Sequence, residues 1–420
     1  MTRQSGRQPY SFFALLWLCG LCLRLPVLAV PPMVPLLHTS LHLSETDIGW
    51  LSSLPPMLLA IAAVPGSLII ARLGLVPALL IGLSLDAVGA AARGASGNFW
   101  FLCIATVVMS SGVAIMQTVM PPLVRARLPE RVGFGTALYT NGLLTAEILA
   151  VALTVPFVLP MVGNSWRLGL LVWSVPVFAT ALLVSAWLLH KRARRQTDLL
   201  ALMPGTVADL AGPIRMSIEP NHRPAWWPNW RNPLIWQLGL ILGSVNASYF
   251  ATNAFLPDYL TVIGRPDLVS SALTALNIAQ LPAAFLMLPL AQRLFTRPSA
   301  YMVTGFLAFG SIVAMLLMRG SWIVFWSGVF GFADAMTLIL AFGLPPVLSA
   351  PGDVPRTTAG MFTLSYSFAM TLSWVVGWLW DLTKAPIVGF VLIALCGLIV
   401  VAMSSTVRHV ERQAIVPAVE

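Results

Sequence analysis

Residues 121–143 have the sequence PPLVRARLPERVGFGTALYTNGL, and residues 345–368 have the sequence PPVLSAPGDVPRTTAGMFTLSYSF. The two stretches begin 224 residues apart, at positions 121 and 345, and share a double proline, a loop arginine, a glycine and a tyrosine in similar order. A shorter match pairs Ala71-Arg72-Leu73 with Gln292-Arg293-Leu294 at a separation of 221 residues. Two separate matches with nearly the same offset indicate a duplication, so we expect two similar halves.

The composition places this duplicated chain in a lipid bilayer. Hydrophobic residues make up 58% of the 420 positions and charged residues 9%, whereas a soluble domain has about 45–50% and about 25%. The apolar blocks are long enough to cross about 30 Å of hydrocarbon as helices. We therefore predict an all-α integral membrane protein with twelve spans, six in each half. The predicted spans 1 to 12 are residues 12–37, 47–71, 76–92, 99–124, 133–158, 166–189, 233–262, 268–291, 298–318, 321–348, 358–380 and 386–406.

The segment between the halves is polar. Residues 190–232 begin with HKRARR and contain five prolines, a composition too polar to span a membrane. It indicates a linker, with room for one short surface helix. The predicted organisation is an N-terminal half of residues 1–189, a basic cytoplasmic linker of residues 190–232 and a C-terminal half of residues 233–420.

The basic residues predict the orientation. With a cytoplasmic N-terminus, 18 of the 24 Lys and Arg residues lie on the cytoplasmic side, five lie on the other side, and Arg24 is inside the membrane. Because Lys and Arg concentrate in cytoplasmic loops, both termini and the linker are expected in the cytoplasm, with the chain in the inner membrane of the cell. The net charge of +9 follows from these loop clusters, and no nucleic-acid partner is predicted.

The cysteines and sequence motifs indicate no cofactor. Cys19, Cys22, Cys103 and Cys396 all fall in apolar blocks, and the CxxC of the first two has no accompanying His or second CxxC. Buried thiols are the expected state. No metal ligands and no catalytic residues are predicted, because HExxH, GxSxG, Walker and paired-carboxylate motifs are absent. An intramembrane enzyme is therefore disfavoured.

Several segments carry a resemblance to a known family. They are VPPMVPLLHTSLHLSETDIGWLSSLP from Val30, PPLVRARLPERVGFGTALYTNGLLTAE from Pro121, YFATNAFLPDYL from Tyr249, TAGMFTLSYSF from Thr358 and GWLWDLT from Gly377, together with Arg24. In these segments, the chain resembles the cyanate and 2-nitroimidazole transporter family (CynX/NimT) of the major facilitator superfamily. The resemblance implies two parallel six-helix halves with a site between them near mid-membrane. It also implies movement of a small anion or polar heterocycle by alternating access.

One loop departs from the superfamily pattern. The signature after span 2 is present only as Arg72-Leu73-Gly74, with Ala71 where an aspartate is typical. The usual charged latch of that loop is therefore not expected here.

Arg24 and Glu147 are the principal candidate site residues. A charge in the bilayer core costs roughly 3 kcal/mol on insertion scales, and Arg24 lies about twelve residues, or roughly 18 Å, into span 1. The resemblance places spans 1, 4, 7 and 10 around the cavity, where Arg24 would offer a forked cation to an anion. Glu147, in span 5, is its expected partner. A carboxylate that alternates between Arg24 and a proton would couple proton and anion movement, and the alternative is a static salt bridge.

Two aspartates lie in other spans. Asp334, on a face of span 10 with Gly331 and Thr337, is a second candidate for proton coupling. Asp86, in span 3, is expected to have a structural role, pairing with Arg93 or with a neighbouring helix.

Uncharged polar residues are expected to complete the substrate site as neutral hydrogen-bond donors. Their alternative role is to join the helices by interhelical hydrogen bonds. Asn246 lies 222 residues after Arg24, nearly the repeat offset, so that the second half offers an amide where the first offers a cation. The candidates are Gln117, Tyr139, Asn141, Asn246, Tyr249, Asn253, Asn277, Gln280 and Tyr366.

Prolines are predicted to interrupt two spans. Pro26, Pro31, Pro32 and Pro35 should break span 1 near Arg24, and the Pro55-Pro56 pair should break span 2.

The predicted function is a monomeric secondary active transporter for a small anionic or weakly acidic solute, working by alternating access and coupled to protons. The alternative is multidrug or nitroheterocycle efflux, which the 15 Trp residues keep open. A channel or receptor would lack the half-repeat.

Overall fold

The computed structural model describes residues 10–43, 45–201, 225–405 and 407, and it is helical throughout its spans. Within these residues, eleven helices are long and apolar enough to cross a membrane, and Ile387–Met403 is a further, shorter apolar helix. The prediction of an all-α membrane protein with twelve helices is therefore confirmed.

The observed spans follow the predicted order, with ends that differ by a few residues except in span 6. Span 6 continues to Ala201, inside the stretch predicted as a linker, and residues 202–224 of that stretch lie outside the described residues. The bounds of spans 1 to 12 are Tyr10–Leu41, Glu45–Leu73, Leu75–Gly94, Phe99–Arg127, Val132–Met161, Trp166–Ala201, Pro233–Val262, Pro266–Leu294, Pro298–Leu317, Trp322–Leu348, Val354–Thr383 and Pro386–Met403.

Span 1 is interrupted at Arg24. Its helical pieces are Tyr10–Cys22, Leu25–Leu28, the 3₁₀ turn Pro31–Met33 and Val34–Leu41. Pro26 has no N–H to continue the hydrogen-bond ladder, and the prolines at 31, 32 and 35 have the same effect further along. The predicted break near Arg24 is therefore present.

Span 2 does not break. The helix Glu45–Leu73 runs without interruption through Pro55, Pro56 and Pro65, so the predicted break at Pro55-Pro56 is wrong. A proline removes one ladder hydrogen bond, and neighbouring helices in a membrane bundle can hold the helix together despite that loss. Spans 4 and 11 pack along span 2 and supply this support.

The two ends of the bundle differ in charge. Seven arginines lie in or beside the loops after spans 2, 4, 8 and 10, and we call the end of the bundle that contains these loops the arginine-rich end: Arg72, Arg125, Arg127, Arg131, Arg293, Arg297 and Arg356. The other end is called the opposite end. It has Arg167, Arg265, Arg319 and Lys384, with Arg93 in the last turn of span 3.

The two halves are closed against each other toward the arginine-rich end. Residues 112–124 of span 4 and 337–346 of span 10 are all buried, whereas the first turns of these spans, at the opposite end, have exposed aromatics such as Trp100 and Trp322. Across the halves, Thr363 Oγ1 donates to the Ala60 carbonyl at 2.7 Å. The buried cluster that joins the two halves therefore includes these segments, whereas each half has a further buried cluster of its own toward the opposite end.

Candidate functional site

A cavity of about 180 Å³ lies between the halves on the opposite-end side of this closed region. Its walls come from spans 1 to 5 of the first half and from span 7 of the second. It has three charged side chains, Arg24, Arg93 and Glu147, and its other polar residues are Ser52, Thr106 and Tyr249.

Arg24 and Glu147 form a buried ion pair beside the cavity. Arg24 Nε lies 3.1 Å from Glu147 Oε1, and the two residues are only 7% and 8% exposed. The contact between them is an ion pair rather than an aligned hydrogen bond, since Arg24 Nε has no partner of hydrogen-bond geometry. Separating a buried pair of this kind is costly, because each charge would then be buried without a counter-ion.

Glycines bring span 1 and span 5 into backbone contact. A Cβ atom on Gly20 would overlap the backbone carbonyl of Tyr139, and one on Gly142 would overlap the backbone carbonyl of Trp17. Small residues at such positions let membrane helices approach closely. The approach positions Arg24 and Glu147, which lie slightly further along the two spans, within reach of each other.

Tyr366 of span 11 links Arg24 to span 4. Its hydroxyl accepts from Arg24 Nη2 at 3.4 Å and from Gln117 Nε2 at 3.0 Å. The ring is fully buried, so the second half contributes a fixed acceptor to the arginine of the first half. Gln117 and Tyr366 are both predicted site residues. Tyr366 contacts the Arg24 guanidinium directly, and Gln117 is connected to it through the Tyr366 hydroxyl.

Glu147 is connected to the second half through Tyr249. The Tyr249 hydroxyl lies 3.4 Å from Glu147 Oε2 and 2.7 Å from Asn277 Oδ1. A phenol has one proton to donate, so these two acceptors compete for it, and Asn277 has the shorter distance. Glu147 is therefore held mainly by Arg24.

An amide cluster on spans 7 and 8 extends the connection. Asn277 Nδ2 donates to Asn253 Oδ1 at 3.0 Å, and Gln280 Nε2 donates to Asn277 Oδ1 at 3.3 Å. The helix of span 8 is interrupted at Ala279, between Asn277 and Gln280. The Arg24–Glu147 ion pair and these hydrogen bonds form one connected chain, here called the central network: Gln117, Tyr366, Arg24, Glu147, Tyr249, Asn277, Asn253 and Gln280.

Three predicted site residues lie outside this network. Tyr139 stacks on Phe342 with ring centroids 6.1 Å apart. Asn141 Oδ1 accepts from Trp17 Nε1 at 2.9 Å, and Asn246 Nδ2 donates to Ser365 Oγ at 2.8 Å. None of the three lines the cavity, so their role as substrate contacts stays a prediction.

Asp334 is buried next to the network without belonging to it. Its Oδ1 accepts from Ser248 Oγ at 3.2 Å, and Ser248 precedes Tyr249 on span 7. Asp334 does not line the cavity. Its proposed part in proton coupling would therefore act through span 7 rather than by direct contact with a substrate.

Arg93 lies one residue beyond the predicted end of span 3, yet in the structure it belongs to the last turn of that helix and lines the cavity. It terminates the apolar block of span 3, and a basic residue at the end of a block resembles an interfacial charge. In the structure it is 2% exposed, and its Nη1 donates to the Pro26 carbonyl at 2.7 Å and to Met109 Sδ at 2.8 Å. Its spacing of seven residues from Asp86, two helical turns, is the one sequence signal that places it on an inward face.

The suggested pairing of Asp86 with Arg93 is not a direct contact. Asp86 is fully buried, and neither carboxylate oxygen has a hydrogen-bond partner among the described residues. The two groups interact electrostatically through space. The structural role predicted for Asp86 stays a prediction.

The described residues offer no site for a metal ion. They include no group of three or more His, Cys, Asp or Glu side chains that could hold one. All four cysteines are free, and Cys19, Cys22 and Cys396 are buried.

Comparison with known proteins gives a family match over most of the chain. Residues 16–377 match the family described as Major Facilitator Superfamily. The chain is 24% identical to the uncharacterized transporter YycB of Bacillus subtilis strain 168, over 86% of this chain and 85% of that one.

Two relatives from Escherichia coli K12 have named substrates. The 2-nitroimidazole transporter is 23% identical over 86% of this chain and 85% of its own length. The cyanate transport protein CynX is 23% identical over 92% of this chain and 94% of its own length. Among solved structures, the E. coli fucose:proton symporter FucP has a TM-score of 0.71 and 14% identity, with 94% of this chain and 98% of that chain covered.

Proposed function

The chain belongs to the Major Facilitator Superfamily of membrane transporters, and we propose that it moves a small anion or weakly acidic solute across the cytoplasmic membrane by alternating access. The observation that supports this proposal is the Arg24–Glu147 pair, 3.1 Å apart and buried beside a cavity between the halves. A transporter of this family needs a substrate site between its halves, and this cavity offers a charged one.

The chemistry around Arg24 favours an anion. A guanidinium presents several N–H donors in a rigid fork, which suits planar or linear anions. Tyr366 and Gln117 lie next to it as neutral partners, so a bound anion would meet donors rather than competing carboxylates, apart from Glu147. The size of the cavity, about 180 Å³, suits a solute of a few heavy atoms. The relative named for cyanate has a substrate of this class.

Proton coupling follows from the competition for Arg24. An anion that binds Arg24 displaces Glu147, and two negative charges about 4 Å apart repel by about 4 kcal/mol at an effective dielectric constant of 20. Proton uptake by Glu147 removes that repulsion. Anion and proton would therefore bind together, and release of both would restore the Arg24–Glu147 pair.

During alternating access, the closed arginine-rich side would open and the opposite side would close. The arginine-rich side, closed in this structure, corresponds to the cytoplasm in our proposal, because basic loops concentrate there. The cavity then faces outward, and both termini lie in the cytoplasm, with a monomer as the working unit.

A second candidate function is efflux of a nitroheterocycle. It is favoured by the relative named as a 2-nitroimidazole transporter and by the aromatic pair Tyr249 and Phe250 on the cavity wall. A neutral heterocycle would stack on these rings without displacing Glu147.

Ligand screening of the purified full-length protein tests the proposal. Thermal unfolding is followed with cyanate, nitrite, formate and 2-nitroimidazole, for wild type, Arg24→Gln and the matched control Arg319→Gln, whose arginine is an exposed residue at the opposite end. We expect an anion to stabilise wild type and the control but not Arg24→Gln. Stabilisation by 2-nitroimidazole alone would support the efflux function, and anion stabilisation that persists in Arg24→Gln would overturn the proposed site.

A further inference from the structure

Arg93 is the charged cavity residue that has no counter-ion in contact. The cavity wall includes Arg24, Arg93 and Glu147, and Glu147 is committed to Arg24 at 3.1 Å. Among the described residues, no carboxylate lies within ion-pair distance of Arg93, since Asp86 has no hydrogen-bond partner and forms no ion pair. Of the two arginines, Arg93 is therefore the one with no carboxylate in contact among the described residues.

Only part of the Arg93 guanidinium is satisfied. Its Nη1 donates to the Pro26 carbonyl and to Met109 Sδ, while Nε is buried without a partner. A guanidinium has five N–H donors. A thioether sulfur is a weak acceptor, so the Pro26 carbonyl is the one strong partner. The remaining donors of this cavity-lining side chain are therefore available to a ligand in the cavity.

The hydrogen bond from Arg93 to the Pro26 carbonyl requires an N–H donor at this position but does not require a positive charge. Pro26 lies where span 1 is interrupted, and its carbonyl is not bonded within the short helix Leu25–Leu28. Any N–H donor of suitable length would satisfy that carbonyl, including the amide of a glutamine. The positive charge at this position offsets part of the charge of buried Asp86 through space, and it is also available to an anion in the cavity.

We propose that Arg93 is a substrate-binding residue, which receives the incoming anion from the opposite end before the anion reaches Arg24. This inference rests on the proposed function and deepens it. The ligand class is a small monovalent anion with oxygen or nitrogen acceptors, bound through the free donors of the guanidinium. Binding at Arg93 requires no displacement of Glu147, whereas binding at Arg24 does, so the first step has the lower electrostatic cost.

Asp86 sets the strength of this first site. It lies two turns before Arg93 on span 3 and interacts with it through space without contact. A carboxylate at that distance reduces the positive potential that an anion meets at Arg93. Neutralising Asp86 should therefore tighten anion binding, whereas neutralising Arg93 should weaken it.

The test compares three variants of the purified full-length protein by cyanate titration. Arg93→Gln keeps an N–H donor for the Pro26 carbonyl and removes the charge, and we expect at least tenfold weaker binding. Arg93→Lys keeps the charge and should bind within a few-fold of wild type. Asp86→Asn should bind about two- to tenfold more tightly. Thermal unfolding without cyanate checks that each variant is folded.

The outcomes separate this inference from the proposed function. Wild-type affinity in Arg93→Gln overturns the role of Arg93 and leaves the Arg24 site standing. If Arg93→Gln does not fold, Asp86→Asn decides, and unchanged affinity in that variant overturns the inference. If wild type binds none of the anions, the proposed function fails and this inference fails with it.

Discussion

The backbone N–H of Gly133, in the first half, donates a 2.7 Å hydrogen bond to the side-chain Oε1 of Gln292, in the second half. The two residues belong to the N-terminal end of span 5 and the C-terminal end of span 8, at the arginine-rich end. A Cβ atom on Gly133 would lie 2.5 Å from Gln292 Cα, so the halves approach to backbone contact. This contact closes one side of the bundle and must separate if that side is to open.

Gly133→Ala should therefore hold the arginine-rich side open. The added methyl group cannot fit against Gln292, whereas Gly352→Ala, a control at the same end, meets no atom within 4 Å. The measurement is the rate of thiol labelling at Thr136→Cys, a residue of span 5 that is fully buried in this structure. We expect faster labelling with Gly133→Ala and no change with Gly352→Ala. Equal rates in both would contradict the assignment of this contact as a closure.

Gly20→Ala should separate span 1 from span 5. A Cβ atom there overlaps the Tyr139 carbonyl, and overpacking of this kind costs about 1–3 kcal/mol. Because the same contact brings Arg24 to Glu147, anion affinity should fall together with thermal stability. Gly310→Ala in span 9, where the added atom meets nothing within 4 Å, is the matched control. Normal anion affinity in Gly20→Ala would show that the pair does not depend on this packing.

Glu147→Gln should uncouple anion movement from protons. The amide keeps the approximate shape of the side chain but cannot take up and release a proton in the cycle. In proteoliposomes, we expect anion exchange to continue while accumulation driven by a pH gradient disappears. Glu130→Gln, at an exposed loop position, should behave as wild type. Undiminished accumulation in Glu147→Gln would reject the coupling role and leave a static salt bridge.

Tyr366→Phe should weaken both the fold and the site. It removes the hydroxyl that accepts from Arg24 and Gln117, and leaving buried donors unpaired costs about 1–3 kcal/mol. Tyr301→Phe is the comparison, because that buried hydroxyl donates to backbone carbonyls of Phe295 or Leu340 outside the site. Both variants should lose thermal stability, but only Tyr366→Phe should lose anion affinity. Equal affinities would place Tyr366 outside the substrate site.

The pairing of Arg24 with Glu147 is a contact that could be predicted from the depth of the two residues in the membrane and from the family resemblance. Each residue lies in the middle of an apolar block, where an unpaired charge is costly, and so a partner at similar depth could be predicted. Gln117, Tyr249, Asn277 and Tyr366 are predicted as polar site residues from the spans in which they lie, and in the structure they join the central network. Tyr139 and Asn141 are predicted alongside them, but they contact Phe342 and Trp17 instead.

Arg93 and Pro55-Pro56 show where such reasoning failed. Arg93 stands at the end of an apolar block, so its position along the chain resembles that of an interfacial arginine, but contacts with Pro26 of span 1 and Met109 of span 4 bury it. The prolines of span 2 resemble those of span 1, but packing by spans 4 and 11 keeps the helix Glu45–Leu73 continuous. In both cases the outcome depends on neighbours that are distant in sequence.

The sequence alone determined that the chain is a duplicated, twelve-helix membrane protein, because apolar length, charge placement and the repeat offset are properties of the chain itself. It also limited the charges inside the membrane to a few residues. The tertiary structure decided which of them meet: that Arg24 has a counter-ion in contact and Arg93 has none among the described residues, and which side of the bundle is closed. Those facts depend on helix-to-helix distances of a few Å, and such distances are set by side-chain packing between segments that the sequence does not place side by side.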